Sequence, residues 1–176
     1  MKYVVTFILL LCASVNCQSQ VIEPEFMYEC GILVNDTSLI ICEKQNGKIT
    51  SKASASMFLT GIGKVKTRYQ IPGNHSTVKV KKSDKITLIC KSSTNAIDPN
   101  QVINVYSMEC KSKYRQVQIG EVGTFTGAEI RGNRIAFKAT KHGTSSYKIE
   151  IDNLPTGEYA VTVLNPYSFN CFCIED

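Results

Sequence analysis

Residues equipped for chemistry are scarce in this chain. Only two histidines occur among its 176 residues, and each stands beside turn-forming neighbours: His75 follows Pro72-Gly73-Asn74 and His142 precedes Gly143. From Cys30 onward no two cysteines fall at the C-x2-4-C spacing that, with histidines, marks a zinc site. A phosphate-cradling loop is excluded too, because Gly120 to Gly127 has neither a lysine nor a following helical pattern. His142, Ser145 and Asp152 can be written as a triad, but they fall within one short stretch and Ser145 has no nucleophile-elbow context, so His142 reads as a turn residue. Asp98, Glu121 and Glu129 read as loop carboxylates, not as the two facing acids of a glycosidase cleft. No catalytic residue, metal or cofactor is therefore expected. Repeats of constant period, low-complexity segments and helical periodicity are also missing or nearly so.

Long apolar runs are confined to the start. Met1 to Cys17 combine Lys2, an apolar stretch from Val4 to Ala13 and small residues after it, the pattern of a cleaved secretory signal. That stretch, and everything after it, falls short of the roughly 20 apolar residues a membrane helix needs. Cleavage is expected to leave Gln18 first; Asn16 before Cys17 makes a poor lipidation signal. Residues 18–24 form a short lead, and residues 25–176 suffice for one domain with a proper core. An exported product follows: periplasmic, outer-membrane-associated or secreted. Net charge is +5, but the only local thickening, Lys79, Lys81, Lys82 and Lys85, interleaves with apolar residues as in Val78-Lys79-Val80-Lys81. That is the solvated face of a strand, and nucleic-acid binding is not expected.

What the chain has in abundance is period-two alternation. In Ser145 to Val163, Tyr147, Ile149 and Ile151 alternate with Lys148, Glu150 and Asp152. Asn153 to Gly157 then supply turn chemistry, and Tyr159, Val161 and Val163 resume the pattern. A tyrosine just past such a corner is a recurring feature of two-sheet sandwiches. The same reading gives strands at Phe26 to Val34 and Ser38 to Lys44, the latter closing on Asn46-Gly47 as a hairpin signal. Lys48 to Phe58 is ambiguous, with Ile49, Ala53 and Met57 four apart, and reads as strand by its neighbours. Lys64 to Ile71 is a strand, Thr77 to Val80 and Lys85 to Lys91 a pair. Val102 to Cys110 carries apolar residues on both faces, as a central strand does. Tyr114 to Ile119, Arg134 to Thr140 and Phe169 to Ile174 complete the set, with Gly120 to Gly132 a long loop holding one edge strand near Thr124 to Thr126. Ten or so strands predict an all-β, antiparallel β-sandwich, immunoglobulin-like or prealbumin-like, in a single domain.

Beyond the signal the cysteines are Cys30, Cys42, Cys90, Cys110, Cys171 and Cys173. Each lies in an apolar strand pattern, as in Leu39-Ile40-Ile41-Cys42, where a free cysteine acts as a small hydrophobe. Export permits disulfides, and the spacings leave every pairing open. Cys171 and Cys173 share one strand face and are placed to meet different partners.

Several segments together carry a family likeness: the export signal, Pro24-Glu25-Phe26, Gly61-Ile62-Gly63-Lys64, the Ile97-Asp98-Pro99 loop, Val102 to Cys110 with Lys111 to Arg115, and His142-Gly143 through Leu154-Pro155-Thr156-Gly157-Glu158-Tyr159 to Phe172. This layout resembles a group of uncharacterised exported proteins common in Bacteroidetes, and it spans nearly all of the chain after the signal. The resemblance implies a cell-envelope or secreted location and a β-rich fold, and supplies no mechanism. The Leu154 to Tyr159 corner is also similar to corners in transthyretin-like modules of surface proteins.

The expected function is that of an exported, non-enzymatic binding or structural module of the bacterial cell envelope. Basic strand faces and end loops would contact an acidic or glycan-bearing partner. The candidate contact residues are Asp98, Asn100 and Gln101 in one loop, with Tyr106 and Tyr114, since loops at sandwich ends are where such domains place recognition. The competing expectations are a hydrolase or lyase built on the sandwich, and a disulfide-stabilised secreted effector or inhibitor.

Overall fold

The computed structural model describes residues 21–176 apart from Asp84 and Arg131. The expected signal peptide and the first residues of the lead lie outside the described residues. The described residues form an all-β fold, built from antiparallel sheets, one of them strongly curled.

The smaller sheet contains β1 (Cys30–Val34), β2 (Ser38–Ile41), β7 (Lys85–Lys91), β11 (Lys138–His142) and β12 (Ser146–Asp152), in the order β11-β12-β7-β1-β2. The β1–β2 hairpin turns through Asn35 and Asp36, both in the left-handed region (φ 51° and 56°) that these two residue types tolerate. The larger sheet runs β3 (Glu43–Asn46), β14 (Ser168–Glu175), β13 (Gly157–Val163), β8 (Ile103–Cys110), β9 (Tyr114–Gly123), β5 (Lys64–Pro72), β4 (Lys48–Ala53). Two short strands join it from the side: β10 (Gly127–Ile130) on β9, and β6 (Lys79–Lys81) on β14, the latter parallel. The terminal strands of this order, β3 and β4, are consecutive in the chain with Gly47 alone between them, so the sheet curls until its two ends meet.

Two apolar clusters follow from this shape. Leu88, Cys90, Ile149 and Ile151 of the smaller sheet meet Val105, Val161 and Phe172 of the curled one. Inside the curl, Ile71, Tyr106, Met108, Val117 and Phe169 form a second cluster. Strands β8, β13 and β14 serve both clusters with alternate residues, which is why β13 reads buried at nearly every position. The expectation of a central strand with two buried faces at Val102 to Cys110 holds for β8.

The corner at Asn153 to Gly157 is present, and Tyr159 Oη donates to Pro155 O at 2.6 Å while its ring stacks on Phe172. Its two strands, however, do not pair: β12 bonds to β7 and β11, whereas β13 bonds to β8 and β14. The turn is a crossing between sheets, with Asn153 in the left-handed region at φ 54°.

Other expectations need correction. Ser38 to Lys44 is not one strand; it changes sheets at Cys42, β2 pairing with β1 and β3 with β14. Asn46-Gly47 is accordingly no hairpin. Lys48 to Phe58 leaves the sheet after Ala53 and forms α1 (Ala55–Thr60), stopped by Gly61 in the left-handed region with its N–H on Met57 O. Thr77 to Val80 does not pair with Lys85 to Lys91, since β6 finds β14 instead. The Gly120 to Gly132 stretch is largely sheet: β9 continues to Gly123 and turns into β10. Of Arg134 to Thr140 only the end is strand, with Arg134 in a single bridge to Tyr106. A second short helix, α2 (Pro99–Val102), precedes β8 and takes Val102 out of it. Cys110 is exposed and Cys173 half-buried, unlike the four other described cysteines, which are buried.

Candidate functional site

Of the five residues expected to share a contact surface, Asp98, Asn100 and Gln101 stay together, while Tyr106 and Tyr114 lie elsewhere. Asp98 caps α2, its carboxylate accepting from Asn100 N (2.9 Å) and Asn100 Nδ2 (3.1 Å). Asn100 and Gln101 are exposed in the same turn. Tyr106 lies inside the curl, 4% exposed, with its ring edge-on to Tyr69. Tyr114 begins β9 opposite Pro72, beyond the far end of β8. The two histidines serve separate structural contacts. His142 Nε2 donates to Ile22 O at 2.9 Å and ties the N-terminal segment to β11. Asp152 sits at the far end of β12 in an ion pair with Lys138, away from His142 and Ser145.

An ionic network closes one end of the curl. Arg115 follows the same alternation as Val117 and so points inward, where its guanidinium is 1% exposed. Nη1 donates to Glu158 Oε2 (3.1 Å) and Nη2 to Pro72 O (3.3 Å), with Glu43 Oε2 3.7 Å away. Glu158 also accepts from Ser76 N (2.9 Å) and stands 3.1 Å from His75 Nδ1. Glu43 accepts from Thr77 N and Gln45 Nε2. The network pins the Pro72 to Thr77 turn to three strands. Burial would raise the Glu43 carboxyl, but hydrogen bonds from Ser76, Thr77 and Gln45 and the Arg115 charge outweigh it and hold it below its ordinary value. The thiols nearby are kept protonated: burial pushes Cys171 up to about 12, and burial with the Glu158 hydrogen bond pushes Cys173 up to about 11. Among the described residues no three His, Cys, Asp or Glu side chains are grouped to hold a metal. No helix among them is long and apolar enough to cross a membrane.

The opposite character appears where β4, α1, β5 and the β9–β10 turn come together. Helix α1 buries none of its residues; Phe58 and Leu59 are 80% and 85% exposed, and Phe125 on the neighbouring turn is 81% exposed. A helix this short has no stability of its own in water, so its surroundings hold it. Ser54 N donates to Lys64 O and Lys64 N to Ser54 Oγ. Thr124 N donates to Gly63 O, and Gly63 N donates to Thr124 Oγ1. Gly63 is required here, since a Cβ would lie 2.3 Å from Ser54 Oγ and 2.9 Å from Met57 N. Beside the apolar tip runs a groove of ≈ 690 Å³ whose walls include Lys52, Ile62, Lys64, Lys66 and Arg68. Lys52 stands directly opposite Lys66 across β4 and β5, a like-charge juxtaposition that costs stability. Glu121, bonded to Lys64 and 3.7 Å from Lys66, offsets part of that charge.

The sequence carried a sign of this tip in Met57-Phe58-Leu59, a consecutive apolar run that no period-two strand buries on one face. No protein-family model, curated protein or solved structure matches the chain.

Proposed function

We propose that the chain is an exported, non-enzymatic binding module of a bacterial cell envelope, an immunoglobulin-like or prealbumin-like sandwich that docks an acidic protein surface through the end formed by α1 and the β9–β10 turn. The observation that carries this reading is the exposure of Phe58, Leu59 and Phe125 on a hydrogen-bonded end beside a cationic groove. Large apolar side chains held in water cost solubility, and together with a polar rim they mark an interaction site. Because backbone hydrogen bonds already fix the end, little ordering entropy opposes docking. Lys52, Lys64, Lys66 and Arg68 select an acidic partner and speed encounter at low salt.

The test is quantitative capture from the source cell envelope, followed by affinity measurement on the protein recovered. Phe58→Ser with Phe125→Ser is expected to weaken binding by roughly tenfold or more, the scale of a lost hot spot. Lys52→Glu with Lys66→Glu is expected to slow association and flatten its salt dependence. Unchanged affinity in both variants would remove this reading.

A further inference from the structure

We propose that Cys30 and Cys90 form a disulfide that staples β1 to β7. Cys42, Cys30 and Cys90 stand in one row across the smaller sheet: Cys30 faces Cys90 in register, and Cys42 N donates to Cys30 O from the other side. Cys30 N donates to Asn170 Oδ1, so neither backbone group of Cys30 bonds to Cys90. The next pair along is the hydrogen-bonded one, with Lys91 N on Glu29 O at 2.9 Å. Cys30 and Cys90 are therefore a non-hydrogen-bonded pair, the kind whose Cα atoms approach to about 4.5 Å, within the span a disulfide bridges. Their sulfurs already touch at 2.6 Å, and both residues are wholly buried.

The sulfur against Cys30 Sγ at 2.6 Å is that of Cys90; Cys42, the rival partner, is joined to Cys30 through the backbone hydrogen bond, the type of pair whose side chains stand farther apart. It also sits where the chain leaves the sheet.

The bond forms when the two thiols give up two protons and two electrons to a low-molecular-weight disulfide, which is reduced to two thiols. Burial raises the Cys30 thiol well above its ordinary value, so the exchange belongs to the stage before β1 closes over Cys90. The resulting loop closes over a sequence separation of 60, from β1 into β7, and fixes β1 between β2 and β7 independently of the interior contacts.

The full chain is refolded in a glutathione and glutathione-disulfide mixture, alkylated under denaturing conditions, digested without reduction and mapped by mass spectrometry. The expected result is a Cys30–Cys90 linked peptide, lighter by two hydrogens than the reduced pair, with Cys42 alkylated. Cys30 or Cys90 found alkylated, or linked to Cys42, overturns the proposal. In denaturant titrations dithiothreitol is expected to lower the midpoint of the wild type and of Cys42→Ala, and to leave Cys30→Ala/Cys90→Ala unmoved. A reductant-insensitive wild type overturns it as well, and the peptide map needs no variant to fold.

Discussion

Arg115 and Glu158 face each other across the curled sheet with Nη1 3.1 Å from Oε2, each side chain at most 2% exposed. Removing one member strands a charge away from water, which costs about 3–5 kcal/mol, whereas replacing both by neutral groups of similar volume costs far less. Arg115→Met is expected to lower the urea midpoint strongly, and Arg115→Met/Glu158→Gln to recover part of that loss. A double-mutant cycle on the four proteins measures the coupling.

Glu43 governs part of the acid limb of stability. Its carboxyl is held below the unfolded-state value, so its contribution is complete above the ordinary glutamate range and disappears as pH falls through the folded value. Stability is expected to decline as pH drops below about 4, and less steeply in Glu43→Gln. Glu109, lowered first by Lys111, and Glu121, lowered first by Lys64, act in the same direction. Guanidinium midpoints of the wild type and the variant, measured at successive pH values, check the difference between the two limbs.

Gly47 joins the two ends of the curl at a point with no room for a side chain. A Cβ there would lie 2.3 Å from Phe169 Cε2, on a ring that is fully buried and 5.3 Å from Tyr69. Gly47→Ala is expected to destabilise by about 1–3 kcal/mol through overpacking. Adding Phe169→Leu should return some of that stability even though Phe169→Leu alone is harmful, a sign reversal that thermal denaturation reads directly.

Tyr159→Phe keeps the ring in place and deletes the hydrogen bond to Pro155 O. A loss of about 1 kcal/mol is expected, with the Asn153 to Gly157 amides exchanging faster and the β13 amides little changed, as measured by hydrogen exchange.

The local structure of this chain was legible where one residue type settles it. Tyr147 to Asp152 alternates without interruption and is a strand; Pro155 before Gly157 is a corner; Tyr159 turns its hydroxyl back to that corner. Sheet membership was not legible, because alternation in β12 and in β13 is the same whether the two strands pair with each other or with distant partners. Cys42 looks like the continuation of an apolar strand, yet there the chain changes sheets. The pairing of β6 with β14 joins segments far apart in sequence and leaves no local mark. Helix α1 is under two turns long, too short for a period of 3.6 to emerge from Ala55 to Thr60. Nothing local to Tyr114 to Ile119 marks Arg115 as buried, since its counter-charges Glu43 and Glu158 arrive from other strands. The buried position of Tyr106 was implied by the two apolar faces of β8, and that implication outweighs its assignment to a contact surface.

The outermost ribbon of the smaller sheet has a further consequence. Among the described residues β2 is bonded on one side only, and its Ser38–Ile41 segment has no lysine or proline to guard it, while Ile40 and Ile41 are 39% and 43% exposed. A second molecule can lay its own margin along this one, so self-association at high concentration is expected to start at β2.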